Sequence, residues 1–196
     1  NCGLLQELRE ATKNNPLYVL SGPTAVGKGT LSTYLRLHDP KIWVSISCTT
    51  RDLRPQEVEG VHYYPIDESE FQKMIDQGEF LEWARVHNDY LYGTPIRPLL
   101  EAIQKGKTAV LEIDIQGARA VRKILPKSRF VFLEPPTFDT LIERQKIRDT
   151  EDYAERQLRL KNAEIEIESK NEFDFVIVND KVEVAQVLLQ KIIKGV

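Results

Sequence analysis

The sequence predicts an α/β domain in which helices cover both faces of a parallel sheet, with one small insertion. Two observations predict this fold. Short apolar runs of strand length alternate with longer segments of helical periodicity, and a glycine-rich turn separates the first run from the first helical segment. Strands and helices in alternation indicate parallel strands joined by helical crossovers. A chain of 196 residues can bury such a core without the support of a disulfide or a metal.

Four apolar runs have the length and the β-branched or aromatic content of strands. In chain order they cover residues 17–20, 109–111 with Ile113, 130–133 and 175–178. The helical segments that follow them cover residues 28–37, 117–124, 138–147 and 182–193. Because each run is apolar throughout and does not alternate with polar residues, we expect all four strands to be buried on both faces.

Two segments depart from this alternation of strands and helices. Residues 45–95 are rich in Tyr, His and Gly and contain alternating apolar residues, which predicts a small antiparallel insertion with one helix at 69–77. Residues 144–159 are dominated by charge, and we expect them to form an exposed, mobile helical lid. The predicted organisation is a core of residues 1–45, 96–143 and 160–196, an insertion of residues 46–95 and a lid of residues 144–159.

Composition limits the classes of partner. The net charge of -3, from 27 Lys and Arg against 30 Asp and Glu, argues against a broad basic face that would track a nucleic-acid backbone. Cys2 and Cys48 lack the spacing of a disulfide framework or a zinc site. No apolar run reaches the roughly 20 residues of a membrane helix, and the first residues lack the pattern of a signal peptide. We expect a cytoplasmic protein that acts on small molecules, with no nucleic-acid or membrane partner.

The glycine-rich turn carries the main chemical signal. It reads Gly22-Pro23-Thr24-Ala25-Val26-Gly27-Lys28, follows the first predicted strand directly and opens a helix, which is the context of a phosphate-binding P-loop. The glycines let backbone N–H groups turn towards a phosphate, the helix N-terminus adds positive potential, and the Lys28 ammonium can reach the outer phosphates. The alternative is a strand-to-helix turn that binds nothing.

The residue after the lysine departs from the general P-loop pattern. That pattern has Ser or Thr directly after the lysine, whereas here Gly29 occupies the position and Thr30 follows. Thr30 is still on the first helical turn, so its hydroxyl can bind Mg²⁺ directly or through a water molecule.

A second group of polar residues lies in the insertion. Ser47-Cys-Thr-Thr-Arg51-Asp-Leu-Arg54 places two arginines three residues apart, with hydroxyl groups before them. Two guanidinium groups at this spacing can form a fork for one phosphate monoester, because guanidinium binds phosphate oxygens in a bidentate way. The same spacing is also typical of solvated surface arginines. Beside a P-loop that holds the donor phosphates, it indicates a phosphate acceptor.

These motifs, together with others in the same order, resemble the guanylate kinases. The resemblance extends from about Leu17 to Asp180 and adds the segments G-x-x-Y ending at Tyr63, Glu79-Phe-Leu-Glu-Trp83, Tyr92-Gly-Thr94, Glu112-Ile-Asp-Ile-Gln-Gly117 and Ile177-Val-Asn-Asp180. It implies a P-loop NTPase core, an insertion that binds a nucleoside monophosphate, and a helical lid. It also implies transfer of the γ-phosphoryl group of Mg·ATP to GMP, and to dGMP, in purine nucleotide metabolism.

The resemblance further implies roles for individual residues. The GMP phosphate would be bound by Arg51, Arg54, Tyr63 and Tyr92, and the guanine would be surrounded by Ser47, Glu82, Thr94 and Asp114. A carboxylate such as Glu82 can accept hydrogen bonds from the guanine N1–H and 2-amino group, whereas Thr94 can donate to O6. ATP would be bound by residues 22–30, Arg144 and Asn179. The catalytic cations would be Lys28, Arg51 and the lid residues Arg148 and Arg159.

This chain departs from the family pattern at the lid, where Arg148-Asp149-Thr150 stands in place of Arg-Gly-Thr. Two other functions stay open at this point. One is a guanylate-kinase-like module that binds a phosphopeptide in the arginine pocket without catalysis, against which the intact Lys28 argues. The other is a P-loop kinase for a different acceptor, against which Glu82, Thr94 and Asp114 argue.

Overall fold

The computed structural model describes residues 2–86, 89–146 and 153–195. Within these residues the helices are α1 (Cys2–Ala11), α2 (Lys28–His38), α3 (Glu68–Asp76), α4 (Ile96–Gln104), α5 (Ile115–Ile124), α6 (Phe138–Lys146), α7 (Tyr153–Glu168) and α8 (Val182–Lys194). The strands are β1 (Tyr18–Ser21), β2 (Ile42–Val44), β3 (Ser47–Thr49), β4 (Tyr63–Pro65), β5 (Phe80–Val86), β6 (Tyr90–Pro95), β7 (Thr108–Glu112), β8 (Arg129–Glu134) and β9 (Phe175–Val178). None of the helices in this described part of the chain combines the length and hydropathy that crossing a bilayer requires.

The strands form two sheets. One has five strands in the order β2-β7-β1-β8-β9, and its pairs β2–β7, β1–β8 and β8–β9 are parallel. This sheet confirms the predicted parallel α/β core. The other sheet has the order β4-β3-β6-β5. Its β3–β6 and β5–β6 pairs are antiparallel, but β3 and β4 are parallel, so the expectation of a purely antiparallel insertion is wrong for that pair.

The chain packs as two compact units. The first unit consists of Asn1–Leu17, Lys41–Val110 and Arg119–Ser128. The second unit consists of Tyr18–Pro40, Leu111–Ala118 and Arg129–Val196. The glycine-rich loop therefore belongs to the second unit, and the arginine pair belongs to the first.

In the first unit, helix α3 covers one face of the four-stranded sheet. Phe71 of α3 is fully buried, packs with Cys48 and Leu91, and stacks on the Phe80 ring with 4.4 Å between the ring centroids. Strand β6 carries a glycine at this contact, because a Cβ on Gly93 would lie only 2.8 Å from the Phe80 ring. Since side chains alternate along a strand, the opposite face of the sheet is left for polar residues.

In the second unit, the strands β1 and β8 are buried on both faces as expected. Val19, Leu20, Phe132 and Leu133 have no exposed surface. Strand β9 differs, because Val176 and Val178 are 45% and 46% exposed. The expectation of burial on both faces is wrong for this strand. Val176 and Val178 are two residues apart and share one face of this strand, whereas Ile177 on the other face is buried. An apolar run does not by itself show whether both faces of a strand are covered.

Candidate functional site

The loop between β1 and α2, residues 22–27, has a curled backbone that requires glycine at two positions. Gly27 has a φ of 104° and caps helix α2, and a Cβ there would lie 2.5 Å from Asn179 Nδ2. A Cβ on Gly22 would clash with the carbonyl oxygen of Leu133. Ala25 adopts a φ of 67°, a left-handed conformation that L-residues seldom take. Curled backbones of this kind turn successive N–H groups towards a common point, where an anion can bind.

The Lys28 side chain folds back over this loop. Its ammonium donates hydrogen bonds to the carbonyl oxygens of Gly22 and Pro23, at 2.6 and 3.2 Å. A positive charge is therefore held against the loop at the N-terminus of α2, where the helix dipole adds to it. Both features favour the binding of a multiply charged anion such as a polyphosphate.

Two side chains from distant parts of the sequence hold the Val26 carbonyl. Asn179 is 6% exposed, lies just after β9, and donates from Nδ2 to Val26 O at 2.9 Å. Arg144 of α6 donates to the same oxygen at 3.3 Å. The structure thus brings the predicted residues Arg144 and Asn179 to the glycine-rich loop, and it shows that both support the backbone of that loop.

The first turn of α2 offers oxygen ligands for a cation. Thr30 is exposed on this turn. A Cβ at Gly29 would lie 4.0 Å from Glu112 Oε1, so the Glu112 carboxylate lies beside the same turn. Among the described residues no group of three or more His, Cys, Asp or Glu could enclose a metal ion. A hydroxyl and one carboxylate are nevertheless the donors that suit Mg²⁺ when nucleotide phosphates and water complete its coordination, so the residues present fit this ion.

In the first unit, the register of the four-stranded sheet collects five predicted residues on one face. Ser47 is opposite Tyr63, Thr49 is opposite Tyr92, and Glu82 is opposite Thr94. Residues opposite one another share a face, and so do residues two apart along a strand. The residues that therefore share the face opposite to α3 are Ser47, Tyr63, Glu82, Tyr92 and Thr94.

The Arg51 guanidinium lies at the edge of this face and is held from three directions. It forms a bidentate ion pair with Glu57, at 2.9 and 3.1 Å. Its Nε donates to the Tyr92 hydroxyl at 3.0 Å, and its Cζ lies 5.4 Å from the centroid of the Tyr63 ring. The side chains of Arg51 and Glu57 are only 14% and 12% exposed. This cation is therefore fixed in place before any ligand binds.

Electrostatics keep this pair ionised. The hydrogen bond to Glu57 raises the pKa of Arg51 further above its usual value, and burial only partly opposes this effect. Burial raises the pKa of Glu57, but the hydrogen bonds that it accepts from the Arg51 side chain and the Arg54 N–H outweigh burial and lower the pKa. The Arg54 N–H donates to Glu57 Oε1 at 2.7 Å, whereas the Arg54 side chain is exposed. Glu57 organises the arginine loop, a role that the sequence indicated only by an acidic residue close to two arginines.

The two residues predicted to read the base contact each other. Thr94 is fully buried on β6 and donates from Oγ1 to Glu82 Oε1 of β5, at 2.7 Å. The bond holds a hydroxyl and a carboxylate side by side, and when a base binds, the hydroxyl proton can turn from Glu82 to a carbonyl of the base while the carboxylate accepts from its N–H groups. This arrangement can distinguish two kinds of purine edge. One offers N–H donors next to a carbonyl acceptor, and the other offers a ring-nitrogen acceptor next to an amino donor.

Three predicted residues are placed differently. Asp114 belongs to the second unit, where its Oδ1 accepts from the Gly117 N–H at 2.7 Å and caps α5. Arg159 lies on α7 and is partly exposed. Arg148 lies outside the described residues.

Comparison with known proteins identifies the family of the chain. The family model described as "Guanylate kinase" matches residues 14–195. A protein of Leifsonia xyli subsp. xyli named guanylate kinase is 49% identical over 177 residues, which cover 90% of this chain and 70% of that protein. A guanylate kinase of Frankia casuarinae is 48% identical over 179 residues, which cover 91% of this chain and 97% of its own.

A solved structure supports the fold. The crystal structure of guanylate kinase from Anaplasma phagocytophilum superimposes with a TM-score of 0.74 at 31% identity. The superposition covers 92% of this chain and 85% of that protein. The match to the family model covers residues 14–195, which include the glycine-rich loop and the four-stranded sheet.

Proposed function

Because the chain belongs to the guanylate kinase family and is an ATP:GMP phosphotransferase, we propose that the loop of residues 22–30 binds the ATP phosphates and that the polar face of the four-stranded sheet binds GMP. The observation that carries this proposal is that face itself. On it a fixed cation at Arg51 and the Glu82–Thr94 pair provide one group for a phosphate and one for a base.

The donor side rests on the curled loop and its cation. Lys28 and the loop N–H groups bind the β and γ phosphates, while Arg144 and Asn179 hold the loop and border the nucleotide. Thr30, with Glu112 beside the same helical turn, would hold Mg²⁺ together with the phosphates. When bound, this ion neutralises part of the phosphate charge.

The acceptor phosphate is bound by Arg51, Arg54, Tyr63 and Tyr92. Four of the five N–H groups of Arg51 already donate to Glu57, Tyr92 and the Asp52 carbonyl, so Arg51 acts mainly through its charge. Because the Tyr92 hydroxyl accepts from Arg51, its own proton remains available to a phosphate oxygen. The exposed Arg54 guanidinium supplies the bidentate contact.

The acceptor base is guanine. The Glu82 carboxylate accepts from N1–H and the 2-amino group, and the Thr94 hydroxyl turns its proton from Glu82 to O6 when the base binds, with Ser47 on the same face. The family resemblance adds Asp114 as a further acceptor. Adenine presents the opposite pattern and would leave these groups unpaired, at about 1–3 kcal/mol for each. No residue is assigned to the ribose 2′-OH, so dGMP is also a substrate. The product GDP places the enzyme in purine nucleotide metabolism.

The chemistry needs no covalent intermediate. Positioning holds the attacking oxygen of GMP near the γ-phosphorus, and the cations Lys28, Arg51 and Arg159 stabilise charge on the oxygens during transfer. The predicted role of Arg148 is of the same kind.

A panel of acceptors tests this proposal. ADP formation from Mg·ATP is measured with GMP, dGMP, AMP, CMP and UMP, each with and without an excess of EDTA. The expected result is turnover with GMP and dGMP that far exceeds a weak turnover with AMP, CMP and UMP and that EDTA abolishes. Equal turnover with another monophosphate would contradict the base assignment. Tight GMP binding without turnover would favour the guanylate-kinase-like module that binds a phosphopeptide without catalysis.

Replacing Glu82 with glutamine tests the base contact. Glutamine keeps an oxygen that can accept from Thr94, but it removes the charge and one acceptor from the guanine edge. We expect kcat/KM for GMP to fall about 10- to 100-fold, the range for a hydrogen bond to a charged group, and the weak activity with AMP to change less than about threefold. Glu101→Gln, at an exposed position of α4, is the matched control. An equal loss with both acceptors would show that Glu82 does not read the base.

A further inference from the structure

The Thr24 backbone in the glycine-rich loop is held by side chains from two helices. Gln145 of α6 donates from Nε2 to Thr24 O at 3.2 Å. Glu166 of α7 accepts from the Thr24 N–H through Oε2 at 3.1 Å. Gln145 is 5% exposed, so its amide is a buried polar group for which this carbonyl is a partner. Neither side chain belongs to the P-loop motif or to the residues assigned to a substrate.

The bond from Gln145 determines the direction of a neighbouring N–H group. The Thr24 carbonyl and the Ala25 N–H belong to one trans peptide group, in which C=O and N–H point in opposite directions. Because the carbonyl is held towards α6, the Ala25 N–H points away from that helix. The φ of 67° at Ala25 is disfavoured for an L-residue, and rotation of this peptide group would relieve it. The Gln145 hydrogen bond opposes that rotation.

The same logic applies two residues further along. The Val26 carbonyl is held by Asn179 and Arg144, so the Gly27 N–H points away from those side chains. The carbonyls of Thr24 and Val26 are thus fixed by side chains from outside the loop, and the N–H groups of Ala25 and Gly27 are fixed with them. The Glu166 carboxylate adds a charge-assisted bond at the Thr24 N–H, which is stronger than a bond between neutral groups. This N–H belongs to the Pro23–Thr24 peptide group, so Glu166 fixes the peptide group directly before the one that Gln145 holds.

We propose that Gln145 and Glu166 are positioning residues for ATP, which hold the Thr24 backbone so that the Ala25 N–H is directed at the nucleotide phosphates. The inference rests on the assignment of this loop to ATP. It concerns the affinity for ATP and leaves the acceptor unaffected. Since neither side chain touches the reacting atoms, kcat depends on them little.

The first test replaces Gln145 with leucine, which has a similar size and cannot donate a hydrogen bond. We expect KM for ATP and the dissociation constant of ADP, measured by calorimetry, to rise about three- to tenfold, the range for one neutral hydrogen bond. We expect kcat and KM for GMP to stay within about twofold. The matched control is Gln104→Leu at the exposed end of α4. A purely structural role would lower the melting temperature and the active fraction without changing the ratio of the two KM values, and that result would overturn the proposal.

The second test replaces Glu166, which is only partly buried, so its variants are expected to fold. This test of the positioning role therefore remains possible even if Gln145→Leu does not fold. Glu166→Ala removes the acceptor of the Thr24 N–H, whereas Glu166→Gln keeps an acceptor oxygen. We expect KM for ATP to rise more in Glu166→Ala than in Glu166→Gln, with Glu101→Ala as the control. Equal rises in the two variants, or none in either, would overturn the positioning role.

A third variant separates this inference from the function on which it rests. Lys28→Met is measured under the same conditions. If Lys28→Met left ATP affinity and turnover unchanged, the assignment of the loop to ATP would fail. If Lys28→Met impaired both, and Gln145→Leu and Glu166→Ala did not change ATP affinity, only the positioning role would fail.

Discussion

Lys28→Met is expected to lower kcat/KM for ATP by about 10²- to 10³-fold, the range for removal of one preorganised group that stabilises the transition state. The ammonium is held against the loop by two carbonyl oxygens and lies at the N-terminus of α2. Methionine keeps the length of the side chain and removes its charge, so the loss reports the electrostatic contribution. The measurement is the steady-state rate of ADP formation with saturating GMP.

Two further variants make this result specific. Lys105→Met removes a lysine from an exposed position after α4, and its activity should equal that of the unmodified protein. Lys28→Arg keeps the charge but replaces a compact ammonium by a planar fork that cannot occupy the same position between the two carbonyls. We therefore expect Lys28→Arg to recover only a small part of the activity. Full activity of Lys28→Arg would mean that charge alone is sufficient, and full activity of Lys28→Met would exclude the loop as the donor site.

The fold was predictable where burial and sequence pattern agree. Strands β1 and β8 are apolar throughout because both faces are covered, and the sequence shows this directly. Strand β2 has only three residues, Ile42–Val44, too few for a pattern to be detected. Helix α4 was not predicted because it contains Pro98, and proline in a sequence usually indicates the end of a helix. Pro98 lies in the first turn of α4, where proline is tolerated. The parallel β3–β4 pair depends on a connection whose path no local pattern specifies.

The candidate site likewise has parts that a local sequence pattern predicts and parts that only the tertiary structure reveals. The phosphate loop could be predicted because its function depends on glycines and a lysine at fixed spacing within one short segment. The supporting contacts could not, because Gln145 and Glu166 are separated from Thr24 by 121 and 142 residues. Glu57 is close to Arg51 in sequence, but only the structure shows that its carboxylate is bidentate and nearly buried. Sequence motifs thus identify the groups that would contact substrate, whereas the groups that orient them depend on tertiary contacts.

Arg51→Met is the second variant with a large expected effect. It removes the fixed cation next to the Tyr92 hydroxyl, and with it the charge that attracts the acceptor phosphate. We expect kcat/KM for GMP to fall about 10²- to 10³-fold, while the dissociation constant of ADP stays within about twofold because the donor loop is intact. The matched control is Arg97→Met, since Arg97 is an exposed arginine of the same unit. An equal loss of ADP affinity would show that the variant is damaged beyond the acceptor site.

The same substitution should reverse the effect of acid on stability. In the unmodified protein the pKa of Glu57 lies below its ordinary value of 4.5, so the ion pair contributes stability at neutral pH that is lost as pH falls through the folded-state pKa. In Arg51→Met the carboxylate stays largely buried and keeps only the Arg54 hydrogen bond and charge. Burial is the largest single influence on its pKa, so we expect the pKa to rise above its ordinary value and protonation to become stabilising. We expect a loss of about 1–3 kcal/mol at pH 7 that shrinks as pH falls towards 5, measured by urea unfolding. Arg51→Met combined with Glu57→Gln removes the unpaired charge, so it should recover stability at pH 7 without recovering activity. If the double variant were no more stable than Arg51→Met at pH 7, the Glu57 carboxylate would not be the source of the destabilisation.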